Sequence, residues 1–160
     1  MESFLCPFYK RPPRKHYPPD GCELLLASPG HCATNAFLAY LREHNPGRVF
    51  HFGSHAPAVS VWAVRRDIPV VCMTRNAKDW CRSRKRADNH TIGNLQTYYT
   101  ALSDHDHGIH YVSFEDVVAD PAMRLDEISE RFDLGLDKGD GVLPFVKMYS
   151  SAPPTNLSRL

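Results

Sequence analysis

The chain has 160 residues, 42% of them hydrophobic and 23% charged, with a formal net charge of +1. That length suits one domain with a real core, and that composition suits a soluble globular protein. The near-neutral balance excludes wholesale electrostatic binding to nucleic acid, and no apolar run approaches the ~20 residues that span a membrane.

In chain order, residues 1–19 carry Lys10, Arg11, Arg14 and Lys15 among five prolines. They read as an extended arm rather than a secretory signal, which needs an apolar stretch behind its basic residues. Leu24–Leu26 is a short continuous apolar run, the pattern of a strand buried on both faces. Ser28-Pro29-Gly30 breaks it; Phe37, Leu38 and Leu41 then recur at helical spacing until Asn45-Pro46-Gly47. Arg48–Gly53 reads as a short strand, Ser54–Pro57 as a turn and Ala58–Arg66 as a short helix. Ile68–Thr74 is a second buried strand. Arg75–Asp88 reads as a helix capped by Asn76 and Ile92–Leu102 as another, with Tyr98 and Tyr99 as packing residues. After a strand at Ile109–Ser113, Glu115-Asp116 is expected to cap backbone donors. Asp120-Pro121 opens a helix whose buried face is marked by Leu125, Ile128 and Phe132. Residues 137–160 read as an irregular tail. Alternating strands and helices predict a single compact three-layer α/β domain over residues 1–160, its mostly parallel sheet covered by helices on both faces.

The five cysteines, at 6, 22, 32, 72 and 81, form no C-x-x-C pair and fit free thiols in a reducing, cytoplasmic setting. Cys22 and Cys72, in or beside predicted strands, read as core. Ligands of parallel sheets bind at the carboxyl ends of strands, where Ser28–Asn35, Gly53–Pro57 and Thr74–Ser83 fall. A strand, tight turn and helix in succession gather free backbone N–H groups into an anion site, unless the turn is an ordinary βα connection. A Walker A loop needs G-x-x-x-x-G-K-[ST], and this turn has neither the second Gly nor the Lys. Gly30, His31, Cys32, Ala33, Thr34 and Asn35 are the residues that would hold a phosphate or sulfate group, with His31 supplying positive charge in place of a Lys. Arg75, leaving a buried strand, suits bidentate phosphate binding, and Ser83 falls near the same helix face. The basic run Arg82, Arg84, Lys85 and Arg86 is equally readable as a solvated helix face. Asp104-His105-Asp106-His107 with His110 is a competing metal cluster, although exposed loops often look this way.

A resemblance adds to this reading. R-N-A-K-D-W-C-R-S at 75–83 resembles the sulfotransferase signature R-[DN]-P-[KR]-D-x-x-x-S, which binds the 3′-phosphate of 3′-phosphoadenosine 5′-phosphosulfate (PAPS). H-C-A-T-N at 31–35 takes the place of that family's phosphosulfate loop, K-S-G-T-T. S-H-A-P at 54–57 is similar to the segment that carries the family's catalytic histidine, and H-Y-V-S-F-E-D-V-V-A-D-P at 110–121 to a later family stretch. The resemblance covers residues 23–136.

It implies a P-loop NTPase-like sulfotransferase fold and transfer of a sulfuryl group from PAPS, with PAP as product, to a hydroxyl or amine of a small-molecule or other acceptor. Arg75 and Ser83 would hold the 3′-phosphate, residues 30–35 the 5′-phosphosulfate, and His55 would be the general base. No metal, specific nucleic acid or membrane partner is implied. The chain departs from the family in Ala77 for Pro, His31 for Lys, Ala33 for Gly and Gly53 where a second Lys often stands. Lys138-Gly139-Asp140-Gly141 lies where the family has a basic Gly-rich closing segment. These departures leave open a weak or inactive PAP-binding module of the same fold. A small P-loop nucleotide kinase is a further alternative, disfavoured by the missing Walker A Lys.

Overall fold

Leu24, Leu25, Leu26 and Ala27 form β1 (Leu24–Ala27), and all four are fully buried. Successive strand side chains point to opposite faces, so such a strand needs cover on both. Leu24 and Leu26 enter one apolar cluster with Phe37, Tyr40 and Leu41, while Leu25 and Ala27 enter another with Val59, Ala63 and Tyr98. Each buried Leu contributes about 1.5–3 kcal/mol. The structure, a computed structural model, describes residues 12–30, 32–53, 55–83 and 89–144, with the backbone alone at 83 and 89–92.

β1 lies inside a four-stranded, all-parallel sheet with β2 (Phe50–Phe52), β3 (Val70–Thr74) and β4 (Ile109–Ser113), in the order β2-β1-β3-β4. Leu25 is flanked by His51 on one side and Val70 on the other, and the far ends of β3 and β4 pair as Thr74 with Ser113. The helices are α1 (Thr34–His44), α2 (Pro57–Val64), α3 (Ala77–Ser83), α4 (Asn89–Ser103), α5 (Phe114–Ala119) and α6 (Pro121–Phe132). α1, α3, α5 and α6 build the first cluster; α2 and most of α4 build the second. The result is a three-layer α/β arrangement, with helices on both faces of a parallel sheet.

Two strands are shorter than the sequence predicts. β3 begins at Val70 because Pro69 has no N–H for the ladder, although its carbonyl accepts from Leu25 N at 2.9 Å. β2 begins at Phe50, since Arg48 is drawn into an ion pair with Glu23 at 2.5 Å. The Arg48 guanidinium holds the Glu23 carboxyl below the usual carboxylate range. Of the predicted caps, Asp120 accepts from Met123 N at 2.9 Å and Asn76 from Lys78 N at 2.9 Å. Glu115-Asp116 does not cap: Ser113 Oγ accepts from Asp116 N at 3.0 Å, leaving both acids in the first turn of α5, where their charge favours the dipole.

Both ends of the described chain are tied to the fold. Residues 14–16 form a 3-10 turn, His51 Nε2 donates to His16 O at 3.1 Å, and Tyr17 meets the Trp62 ring edge-on at 5.3 Å. The arm is therefore seated on the sheet edge and on α2 from there onward. Beyond α6, Asn45 bridges to the backbone of Asp137 at 2.8 and 3.0 Å, Tyr40 OH donates to Lys138 O and accepts from Gly141 N, and Leu143 is buried. This segment lacks regular structure but is fixed to the last turns of α1. Among the described residues no helix is long and apolar enough to cross a membrane.

Candidate functional site

In the order β2-β1-β3-β4 the chain moves outward one way from β1 to β2, then returns across β1 to β3 and continues the other way. The crevice outside the carboxyl ends of β1 and β3 is thus a topological switch point, where parallel sheets take their ligands. Two turns meet there, one after each strand.

The first turn follows β1. Ser28 is fully buried, and its hydroxyl oxygen accepts from Gly30 N at 3.2 Å and from Thr34 Oγ1 at 2.8 Å. The side chain of Ser28 thereby curls the turn back onto the strand. Gly30 stands at φ 94°, and Ala33 at φ 56°, left-handed, just before the right-handed α1. The first bond of α1 runs from Phe37 N to Ala33 O at 3.0 Å, and no side chain caps its start. The amides of Thr34, Asn35 and Ala36 therefore precede the ladder, and a left-handed residue before helical ones gathers N–H groups into an anion-binding concavity.

His55 closes this turn from the β2 side. Its Nδ1 lies 3.0 Å from Ser28 O; a carbonyl only accepts, so Nδ1 carries the proton and the lone pair of the neutral ring lies at Nε2. The ring rests edge-on against Phe52 at 5.2 Å between centroids. It also lies against the backbone of Gly30, where an added Cβ would come within 3.3 Å of His55 Cε1. Cys32, Ala33, Thr34, Asn35, Phe52 and His55 line a cleft of about 230 Å³. Gly53, where the resembled sulfotransferase segment often has Lys, is closely packed: a Cβ would meet Val59 Cγ1 at 2.9 Å and Leu25 Cδ1 at 3.0 Å.

The second turn follows β3. Arg75 is half-buried, its guanidinium carbon 4.0 Å over the Phe114 ring, as the pairing of Thr74 with Ser113 dictates. The two turns are tied by Trp80 on α3, whose Nε1–H donates to Gly30 O at 2.9 Å and whose ring is buried. Burial pushes the Cys32 thiol up to about 12, with the Arg75 charge partly offsetting it and Glu115 adding to it. Arg75 is therefore electrostatically coupled to the first turn without lining its cleft.

Of the residues singled out in the sequence, Gly30, Cys32, Ala33, Thr34, Asn35 and His55 converge at one cleft and turn, and Arg75 stands at the neighbouring strand end. His31 lies outside the described residues, as does the side chain of Ser83. Lys138–Gly141 contacts Tyr40 and His44, at the end of α1 opposite the turn, so it does not close over this cleft. Sequence reasoning passed over Ser28 and Trp80. A small polar residue ending an apolar strand, and a Trp one helical turn past the cap Asn76, were the available signals. Cys72 and Tyr98 are core, whereas Cys22 is half-buried and belongs to neither apolar cluster. The Asp104–His107 loop is occupied otherwise, with Tyr111 OH donating to Asp106 at 2.6 Å, and no group of three or more metal-ligating side chains gathers among the described residues. No protein-family model, no curated protein and no solved structure matches this chain.

Proposed function

We propose that this chain is a PAPS-dependent sulfotransferase of P-loop-like fold, acting on a hydroxyl or amine acceptor. The observation that carries the reading is the bond from Trp80 to Gly30 O. It fastens R-N-A-K-D-W-C-R-S, the segment resembling a 3′-phosphate site, to the turn resembling a 5′-phosphosulfate loop. One ligand with phosphates at both ends of a ribose needs that juxtaposition. The residues fit such a ligand: uncapped amides and a left-handed residue face one phosphate, and the Arg75 guanidinium, stacked on Phe114 at the neighbouring strand end, supplies positive charge for the other.

Bound there, PAPS supplies an activated sulfuryl group. The acceptor oxygen forms the new O–S bond as the bridging O–S bond breaks, and the acceptor proton goes to Nε2 of His55, which the Nδ1 contact with Ser28 O leaves free to receive it. The amides of Thr34, Asn35 and Ala36, with His31, take up the charge left on the 5′-phosphate oxygen. As in phosphoryl transfer, the protein's work is positioning and neutralisation. A second reading, a PAP-binding module with little turnover, is favoured by one feature: the loop carries His31 instead of a permanently charged Lys.

Thermal shift with PAP, PAPS, ATP and AMP tests the assignment, since a ligand at a hundredfold its Kd adds about 2.7 kcal/mol of stability. PAP and PAPS should stabilise the chain well above AMP. Arg75→Ala should weaken PAP about ten- to a hundredfold and leave AMP unchanged, the loss of one charge-assisted phosphate contact. Equal binding of PAP and AMP removes the assignment; stabilisation by ATP with magnesium alone favours a kinase.

A further inference from the structure

Outside this cleft, a second depression of about 370 Å³ runs along the outer face of α2. Its walls are Pro57, Ala58, Val61, Tyr17 and Ala101, and Arg65 and Arg66 stand at its far end. Trp62 is its centre, with the Arg66 guanidinium 3.9 Å over its face and Tyr17 against its edge. Both arginines are exposed and neither joins a salt bridge among the described residues. The depression is thus apolar along its length and cationic at one end. A larger hollow of about 730 Å³, also lined by Tyr17 and Trp62, has both Arg14 and Asp20 in its wall and so carries charge of both signs. Of these two hollows, the one along α2 is lined by positive charge alone.

The groove's uncharged end begins two residues beyond His55, at Pro57. From Pro57 to Arg65 is eight residues of helix, about 12 Å at 1.5 Å per residue. Its size lies in the range of small-molecule sites. We propose that this groove is the acceptor site and that the acceptor is an amphiphilic anion. It would carry a hydroxyl at one end, an apolar body over Val61 and Trp62, and a carboxylate or similar anion at Arg65 and Arg66. This rests on the sulfotransferase reading above and adds the acceptor class to it. The step is the one already described: the acceptor hydroxyl forms the O–S bond, its proton passes to His55, and PAP departs.

The probe is 10-hydroxydecanoate, titrated into the full chain by calorimetry and by tryptophan fluorescence, with 1,10-decanediol as the neutral control. The acid should bind saturably and change an emission signal that Trp62→Phe removes. The diol should bind about tenfold more weakly, the worth of one charge-assisted contact. Replacing Arg65 and Arg66 together by Ala should bring the acid down to the diol. With PAPS present, the acid should be sulfated at its hydroxyl, and the double variant should raise KM about tenfold with kcat little changed. Equal binding of acid and diol, or a double variant that binds the acid like wild type, overturns the anion assignment; no saturable binding of either overturns the groove. The binding readings need no nucleotide, so failures separate. PAP bound without the acid removes the acceptor proposal alone. The acid bound without PAP leaves a ligand groove and removes its acceptor role along with the sulfotransferase reading.

Discussion

The two turns at the switch point solve the same problem differently. After β1, Ser28 holds the turn from within, Ala33 takes a left-handed conformation, and the start of α1 has no side-chain cap. After β3, the side-chain oxygen Oδ1 of Asn76 accepts from the amides of Lys78 and Asp79 at 2.9 and 3.4 Å. The first turn thus leaves the amides of Thr34, Asn35 and Ala36 uncapped, while the second gives its donors to a cap and carries a side-chain charge, Arg75. A backbone cradle fits any compact anion, whereas a guanidinium stacked over Phe114 at 4.0 Å has one fixed direction. On the sulfotransferase proposal, discrimination between nucleotides would fall to the second turn and stabilisation of the leaving group to the first.

The largest effect expected from breaking this division is on chemistry at the first turn. His55→Ala should lower sulfuryl transfer to a panel of alcohols and phenols by a hundredfold or more while PAP still binds. His51→Ala is the control, because His51 Nε2 donates to His16 O and not to the cleft. Equal losses in both variants, or an active His55→Ala, contradict the assignment. Next is Ser28→Ala, which leaves Gly30 N and the Thr34 hydroxyl without their buried acceptor. It should cost about 1–3 kcal/mol, read by chemical denaturation, and weaken PAPS binding together with stability.

Asn76→Ala sharpens the contrast, since loss of an N-cap costs about 1 kcal/mol. It should destabilise the fold without altering the ratio of PAP to AMP affinity; a changed ratio would mean that the cap amides also serve the ligand. The smallest effect is a gain. Ala33→Gly relieves a left-handed Ala, worth about 1–2 kcal/mol, against about 0.4–1 kcal/mol of added unfolded-state entropy. A net stabilisation of about 0.5–1 kcal/mol, with PAPS binding kept or improved, would mark Ala33 as tolerated strain. Destabilisation would mean that its methyl packs usefully.

The apolar run at Leu24–Leu26 and the alternation of strands and helices were enough to determine a parallel sheet covered on both sides, because burial pattern is written in consecutive residues. The caps at Asn76 and Asp120 were equally legible, since a cap needs only a side chain and the next few amides. The residue types at Cys32–Asn35 and His55 in the cleft, and at Arg75 on the neighbouring strand end, were readable for the same local reason. What only the tertiary structure decided is what lies beside what. The order β2-β1-β3-β4 made β1 and β3 neighbours, Trp80 tied their turns together, and Ser28 O chose the tautomer of His55. Packing at Val59 and Leu25 fixed Gly53, and the seating of Tyr17 on Trp62 made part of the N-terminal arm the wall of a groove. These are contacts between residues far apart in the chain, set by how the layers close, and no stretch of sequence contains them.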